Sequence, residues 1–332
     1  MKKINPSVIL IFSHDNKIGD AILLTSLISP IKDAFPKVKI IVMAGRDNNV
    51  IWKNHPLIYK TYTLNSRNIF TRVIFSFFVR AFQPGYAIVT SGEHQGKSFS
   101  IIRKIIGVQN LIWVGTEPPK FKKLKYDSIF LSDWNSKHYL ERCWKAIKKI
   151  TGSDQKSLPE IYLPKNSKSF SQIYWKLNHN RRLKKIILNT SGSKLDHQWS
   201  IPKTIDICFE IISEISNTEI HIISKNNAHH KKLRKAFGLE KRIKIIEYRK
   251  NILDIASLIK DANLLISPNT FAIHFGSAFN IRTLAVYVSE KTSISWGSLS
   301  TKHINMLCRE NIENIENSTL VRNVKMLLSL AP

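Results

Sequence analysis

The chain is poor in cysteine, and none of the cysteine patterns that build a site is present. Its 332 residues include three cysteines, Cys143, Cys208 and Cys308, which lie far apart in the sequence. An odd and scattered set has neither the spacing of a zinc site nor that of a secreted disulfide framework. The sequence therefore excludes a small disulfide-bonded domain and predicts a protein of the reducing cytoplasm.

Long hydrophobic runs are also absent. The apolar run Val8–Phe12 ends at a polar loop, and it is too short for the hydrophobic region of a secretory signal. The most apolar later stretch, residues 69–82, is interrupted by Arg72 and Arg80 and falls short of the ~20 residues that span a bilayer. Its aromatic residues either lie in a membrane interface or pack on the protein's own sheet. We expect any membrane contact to be peripheral.

Acidic residues are scarce relative to basic ones. Lys and Arg number 51 against 24 Asp and Glu, which gives a formal net charge of +27. Such a field favours a polyanionic neighbour: nucleic acid, an anionic membrane face or a phosphorylated glycolipid. The residues 121–126 and a helix bearing Lys137, Arg142, Lys145, Lys148 and Lys149 mix cations with aromatics, but no nucleic-acid module accompanies them. We interpret them as a solvated basic face and expect no nucleic-acid partner.

The pattern of strands and helices predicts an α/β protein with two domains. Apolar runs of strand length alternate with helical patterns in both halves, and the polar stretch 151–159 between the halves is closed by proline. We predict two Rossmann-like, doubly wound domains, residues 1–165 and 166–332, facing each other across a central cleft that holds the ligand. The last helix is a candidate for packing back on the N-terminal domain.

The loop that follows the first strand contains Ile18-Gly19-Asp20. In an open α/β sheet this loop lies at the carboxyl edge, where ligands bind. Asp20 could act there as a general base on an acceptor hydroxyl. The alternative is that it caps the helix that begins at this point, since aspartate is a favoured N-cap residue.

Two further loops combine small and polar residues after predicted strands. The first is Thr190-Ser191-Gly192-Ser193-Lys194, in which backbone amides, hydroxyls and a cation could hold phosphate oxygens; an ordinary surface turn is the alternative. The second runs from Ser267 to Ala278 and contains Asn269, Thr270, Phe271 and His274 at the start of a predicted helix. A histidine in this position is also compatible with a buried structural role.

Together these segments resemble glycosyltransferase family 9, the bacterial lipopolysaccharide heptosyltransferases. The resemblance covers nearly the whole chain and depends on the order and spacing of several segments. They are the loop ending in Ile18-Gly19-Asp20, Pro36, Asn54-His55-Pro56-Leu57-Ile58, the stretch Asn189 to Trp199, and Asp261 through Thr270 to His274 and Ala278.

The resemblance implies a GT-B fold with the acceptor bound mainly by the first domain and the nucleotide by the second. It implies transfer of heptose from ADP-heptose, with inversion, to a lipopolysaccharide inner-core acceptor at the cytoplasmic face of the inner membrane. Asp20 would be the catalytic base, with Lys17 and Gly19 on the acceptor side. The residues 190–194, Asn269, Thr270, Phe271 and His274 would hold the donor. No metal or cofactor is expected beyond the nucleotide sugar.

The chain departs from the family pattern on the donor side. The family usually has Asp at the position of Asn269 and a small residue at Phe271, and many members have a lysine where this chain has His197-Gln198. Lys194 is a possible substitute for that cation. Two alternatives therefore stay open: the same fold with a different nucleotide sugar, and a non-catalytic relative that binds membranes or polyanions.

Overall fold

The computed structural model shows a chain of two compact units, Met1–Tyr162 and Leu163–Pro332. The division falls close to the boundary predicted at 165/166. The structure describes residues 6–14, 16–64, 69–89, 104–108, 110–114, 127–128, 137–192, 195–224, 227–247 and 249–330. No helix among these residues has the length and apolarity needed to cross a bilayer.

The first domain is built on a six-stranded parallel sheet in the order β3-β2-β1-β4-β5-β6. The chain winds outward from β1 to β3 and then returns to add β4 on the other side of β1. The order therefore reverses between β1 and β4, as in a doubly wound sheet. The strands are β1 Val8–Ser13, β2 Lys39–Ala44, β3 Lys60–Thr63, β4 Tyr86–Val89, β5 Asn110–Trp113 and β6 Asp127–Ser128.

The helices of this domain cover both faces of the sheet. Alternate residues of β1 point to opposite faces, and Val8, Leu10 and Phe12 share a core cluster with Val79 of α4. The helices are α1 Ile18–Leu24, α2 Ile28–Ala34, α3 Asn49–Lys53, α4 Ile69–Arg80 and α5 Tyr139–Thr151.

The helical segment that follows the first strand is interrupted. A turn of 3₁₀ helix, Thr25–Leu27, separates α1 from α2. Pro30 has no N–H to donate to the carbonyl four residues earlier, and its ring crowds that carbonyl. The carbonyl belongs to Ser26, and it accepts a hydrogen bond from the Ser157 hydroxyl. The stretch predicted as a linker thus supplies the donor that the proline removes.

The second domain repeats the architecture of the first. Its parallel sheet has the order β12-β11-β10-β7-β8-β9, so the reversal lies between β7 and β10. The strands are β7 Lys184–Asn189, β8 Thr218–Ile223, β9 Ile243–Ile245, β10 Leu264–Pro268, β11 Thr283–Tyr287 and β12 His303–Leu307. The helices are α6 Lys165–Asn178, α7 Ile201–Glu214, α8 Asn227–Phe237, α9 Ile252–Lys260, α10 Phe271–Ala278, α11 Glu290–Trp296 and α12 Asn317–Ser329.

The last helix, α12, contributes its apolar face to the core of the second domain. Its buried side chains join a cluster that contains Ile186 of β7, Ile207 of α7 and Val286 of β11. The buried residues of α12 are Leu320, Val321, Val324, Leu327 and Leu328.

His55 is a buried histidine of the first domain and is held in its neutral form. Its Nδ1 accepts a hydrogen bond from the backbone N–H of Leu57 at 3.3 Å, and its ring lies 4.6 Å from that of Tyr162. Burial lowers the pKa of His55 to about 4, against a weaker opposing attraction from Glu160. Protonation of this side chain therefore favours the unfolded chain.

The pKa of His55 predicts a loss of stability in mild acid. Between its unfolded value of 6.5 and its folded value of about 4, only the unfolded chain binds the proton. The free energy of unfolding should therefore fall as the pH drops from 7 to 4, by about 3 kcal/mol through this group. Urea titrations at several pH values measure the slope, which should flatten in H55N. An equal slope in H55N and wild type would contradict the assignment, and H303N, at an exposed histidine, is the control.

Candidate active site

Both sheets bring their candidate loops to the point where the strand order reverses. In the first domain the loop after β1 leaves the sheet beside β4. In the second domain the loops after β7 and β10 leave two neighbouring strands. Loops on either side of such a reversal run in opposite directions and open a crevice at the carboxyl edge. The three loops singled out in the sequence thus lie at the ligand-binding positions of their sheets.

Asp20 lies in the first turn of α1 and does not cap it. The helix begins at Ile18 and its N-cap residue is Lys17, which makes no capping bond through its side chain. The capping role considered for Asp20 is therefore wrong. As the third helical residue, its carboxylate is partly exposed near the positive end of the helix dipole.

Asn48 fixes the loop that leads to Asp20. Its buried amide donates to the Ser13 carbonyl at 2.8 Å and to the Lys17 carbonyl at 3.4 Å. Its Oδ1 accepts from the backbone N–H of Gly45 at 2.9 Å. Asn48 was not predicted from the sequence. The signal that could have identified it is a polar residue shortly after β2, the strand that lies beside β1 in the sheet. The loop after β2 thus holds the loop after β1.

Gly45 is required by the close approach of these two loops. A Cβ at this position would lie 2.2 Å from Oδ1 of Asn16. The same oxygen accepts a hydrogen bond from the backbone N–H of Asp47 at 3.3 Å. Any larger residue at position 45 would push the β1 loop away from the sheet edge.

A buried cation lies behind α1, on α5. Arg142 is 2% exposed, whereas Lys145, Lys148 and Lys149 on the same helix are exposed. The solvated basic face predicted for this helix therefore does not include Arg142. Burial raises the pKa of the neighbouring Cys143 thiol to about 12, with Arg142 opposing the rise and Asp20 adding to it. The thiol is thus within electrostatic reach of both charges and stays protonated.

In the second domain Asn189, the last residue of β7, connects the two candidate loops. Its Nδ2 donates to Oγ of Ser267 in β10 and to Oγ1 of Thr270 just after β10, each at 3.0 Å. Its Oδ1 accepts from the backbone N–H of Ser191 at 3.3 Å. One buried amide therefore sets the separation of the β7 and β10 loops. The family resemblance includes Asn189, but the sequence alone assigned it no role.

The β7 loop folds back on itself around Gly192. A Cβ on Gly192 would lie 1.9 Å from the carbonyl oxygen of His197, so only glycine fits. The Gln198 amide donates to the Gly192 carbonyl at 3.2 Å, and the N–H of buried Trp199 donates to the Thr190 carbonyl at 3.3 Å. The loop is therefore compact and braced.

The β10 loop ends at the amino terminus of α10. Thr270 is the N-cap residue, and its hydroxyl accepts from the N–H of Ala272 at 3.3 Å. The N–H of Ile273 donates to the Thr270 carbonyl at 3.2 Å, so Thr270 closes the first turn through its backbone as well. The positive end of the helix dipole lies here, which is a position that favours an anion. Phe271 is partly buried, with its ring 5.9 Å from that of Phe275. His274, one turn further, is buried with its ring 6.3 Å from that of Trp296.

The structure thus brings Ser191, Gly192 and Thr270 together with Asn189 at one sheet edge. The Thr190 hydroxyl is directed away from this group, to the carbonyl of Ile223 on β8 at 3.2 Å. Ser193 and Lys194 lie outside the described residues. Among the described residues, no group of His, Cys, Asp or Glu side chains is arranged to hold a metal ion.

Comparison with solved structures identifies the architecture. A family 9 glycosyl transferase from Veillonella parvula superposes with a TM-score of 0.81 and 12% identity over 99% of this chain and 98% of its own. The ADP-heptose lipopolysaccharide heptosyltransferase II of E. coli gives 0.76 and 15% over 96% and 98%. The chain has a GT-B fold. No family model and no curated protein sequence matches it.

The GT-B fold by itself does not fix the reaction. The UDP-GlcNAc 2-epimerase of Methanocaldococcus jannaschii also superposes on this chain, with a TM-score of 0.55 and 14% identity over 97% of this chain and 93% of its own. Transferases and an epimerase therefore share the architecture. The residues at the two sheet edges, and not the fold, determine the reaction.

The geometry of the β7 loop predicts that G192A destabilises the protein. The added methyl group cannot coexist with the His197 carbonyl, so the turn must shift. We expect the free energy of unfolding, measured by urea titration, to fall by about 1–3 kcal/mol. The control is G85A, whose Cβ would meet no atom closer than 3.3 Å. Equal stability of G192A and wild type would contradict the tight turn at this position.

Proposed function

We propose that this protein is an inverting glycosyltransferase that transfers heptose from ADP-heptose to a lipopolysaccharide inner-core acceptor, with Asp20 as the general base. The observation that carries the proposal is the position of Asp20 and of the Asn189–Thr270 pair at the strand-order reversals of the two GT-B domains. The acceptor would be presented at the cytoplasmic face of the inner membrane.

The proposed reaction needs one base and one anion site. Asp20 would take the proton of an acceptor hydroxyl while the oxygen attacks the anomeric carbon of the donor. The bond from that carbon to the diphosphate oxygen breaks, through an oxocarbenium-like state, and ADP leaves with the electron pair. The brace from Asn48 to the β1 loop supports this role, because it holds the base at a fixed distance from the sheet edge.

On the donor side, backbone N–H groups would carry the diphosphate. The amino terminus of α10 at Thr270 and the β7 loop at Ser191 lie at the ends of two adjacent strands. Both are suited to phosphate oxygens. Lys17 and Gly19 would contact the acceptor, and Lys194 is the cationic candidate of the β7 loop. The chemistry needs no further cofactor in this scheme.

Replacing the base should remove turnover without removing donor binding. We expect D20N to lower kcat by about 10²–10⁴ because the acceptor hydroxyl loses its proton acceptor. The measurement is ADP release from ADP-heptose with a heptose-lacking core acceptor, together with the Kd for ADP. D33N is the matched control, since Asp33 is an exposed carboxylate of α2 that bonds only to the Gln155 amide among the described contacts. Normal turnover by D20N would refute the mechanism.

A second candidate function keeps the fold and changes the donor. Asn269 and Phe271 lie at the amino terminus of α10, where both side chains are partly exposed. The family resemblance places a small residue and an acid there, so a bulky ring and a neutral amide alter the sugar-facing part of the site. This difference favours a nucleotide hexose as the alternative to ADP-heptose.

Thermal unfolding across a donor panel separates the two candidates. A ligand at about 100 times its Kd should stabilise the protein by about 2.7 kcal/mol. We expect ADP-heptose to give a larger shift than UDP- or GDP-hexoses. A larger shift with one of those hexoses would establish the alternative donor, and N269D/F271S should then move the preference towards ADP-heptose. If no donor changes the unfolding temperature and none is turned over, the result would favour a non-catalytic relative.

A further inference from the structure

Helix α4 presents two different apolar faces. One face packs on the sheet of the first domain through Val79, with Phe75 against the same core cluster. The opposite face carries Ile74, Phe77 and Phe78, which are 54%, 57% and 57% exposed, and Phe70 at 76%. These residues recur at helical spacing, so they form a continuous surface stripe. Of the two roles considered for this helix, packing explains only one of its faces.

A further exposed aromatic side chain lies near the C-terminal end of α4. Tyr59 is 53% exposed, and its ring lies 6.0 Å from that of Phe82, just past the end of α4. The ammonium group of Lys39 lies 4.7 Å from the centre of the Tyr59 ring. Single exposed apolar residues are common on protein surfaces, but a contiguous patch marks an interaction site. We call the side chains of Tyr59, Ile74, Phe77 and Phe78 the α4 patch.

The part of the sequence that contains α4 carries almost no negative charge. From residue 48 to residue 126 there are twelve Lys and Arg residues and only two acids, Glu93 and Glu117. Lys53, Lys60 and Arg80 are exposed members of this set. An apolar patch among cations matches the surface of an anionic bilayer, where acyl chains lie beneath negative headgroups. An ordinary protein partner would not require this excess of one sign.

The direction of the chain orients α4 on the first sheet. Strand β3 ends at Thr63 and β4 begins at Tyr86, and both run parallel to β1. Helix α4 must therefore return from the carboxyl edge of the sheet to its amino edge. Phe77 and Phe78 are close to the end of the helix and Tyr59 directly precedes β3, so these patch residues lie toward the amino edge.

We propose that the α4 patch docks the protein on the surface of an anionic phospholipid bilayer. Ile74, Phe77 and Phe78 would enter the interface, Tyr59 would lie at headgroup level, and the surrounding lysines and arginines would neutralise the headgroups. The benefit for catalysis rests on the proposed function, because docking would keep the protein on the membrane that presents a lipid-linked acceptor. Bilayer binding itself requires neither donor nor turnover.

The test is co-sedimentation with vesicles in the absence of any sugar nucleotide. Wild-type protein should bind vesicles of equimolar phosphatidylcholine and phosphatidylglycerol, and the bound fraction should fall at high salt. It should not bind vesicles of pure phosphatidylcholine. I74S/F77S should lower the partition coefficient at least about tenfold, because two large apolar side chains no longer enter the interface. The matched control is I173S/L177S, which removes two similarly exposed residues from one face of α6. It should bind as wild type does.

Three outcomes would overturn the proposal. They are absence of binding to anionic vesicles, equal binding by I74S/F77S and wild type, and equal losses in the two double variants. Sedimentation velocity without lipid tests the competing occupant, a second copy of the chain. A dimer that I74S/F77S converts to a monomer, with no vesicle binding, would assign the patch to self-association.

A labelled variant keeps the proposal testable if I74S/F77S folds poorly. The three native cysteines are buried, so a thiol introduced at the surface can be labelled selectively. An environment-sensitive fluorophore on F77C should shift to shorter wavelength when anionic vesicles are added, and the same label on I173C should not. An unchanged spectrum at position 77 with bound protein would exclude the α4 patch. Because no step uses the donor, this result is independent of the D20N experiment.

Discussion

The parallel arrangement of strands is the constraint on which the rest of this structure depends. Every strand of a parallel sheet delivers its following loop to the same edge, and the reversal of strand order leaves that edge open at one point. In each domain the first strand lies beside the reversal, as β1 does next to β4 and β7 next to β10. Strand direction and strand order are therefore sufficient to bring the segments that contain Asp20 and Thr270 to a crevice.

Asparagine amides turn these open edges into defined sites. Asn48 ties the β1 loop to the β2 loop, and Asn189 ties the β7 loop to the β10 loop. Each is 3% exposed or less and bonds to groups that would otherwise be buried without partners. An amide suits this work because it donates and accepts at once without introducing charge. Loops fixed in this way lose little further entropy when a ligand binds.

Charge has different consequences in different parts of the first domain. Arg142 is enclosed behind α1, where burial lowers the pKa of its guanidinium. The lysines that follow it on α5 are solvated, and those around the α4 patch flank exposed aromatic rings. A single net charge of +27 therefore describes at least three environments. Eleven of the 24 acidic residues lie in residues 1–162, and Asp20 is one that lies at the open edge.

The sequence by itself determined the βαβ rhythm, the two-domain division and the loops of interest, because apolar periodicity and glycine or proline placement are local properties. It also singled out Asp20 and Thr270, since polar residues at strand ends can be read along the chain. Only the tertiary structure decided that Asp20 does not cap α1, that Arg142 is buried, and that Asn48 and Asn189 hold the loops. It also decided which face of α4 is exposed. These outcomes depend on which distant segments pack together, and a one-dimensional pattern does not specify such contacts.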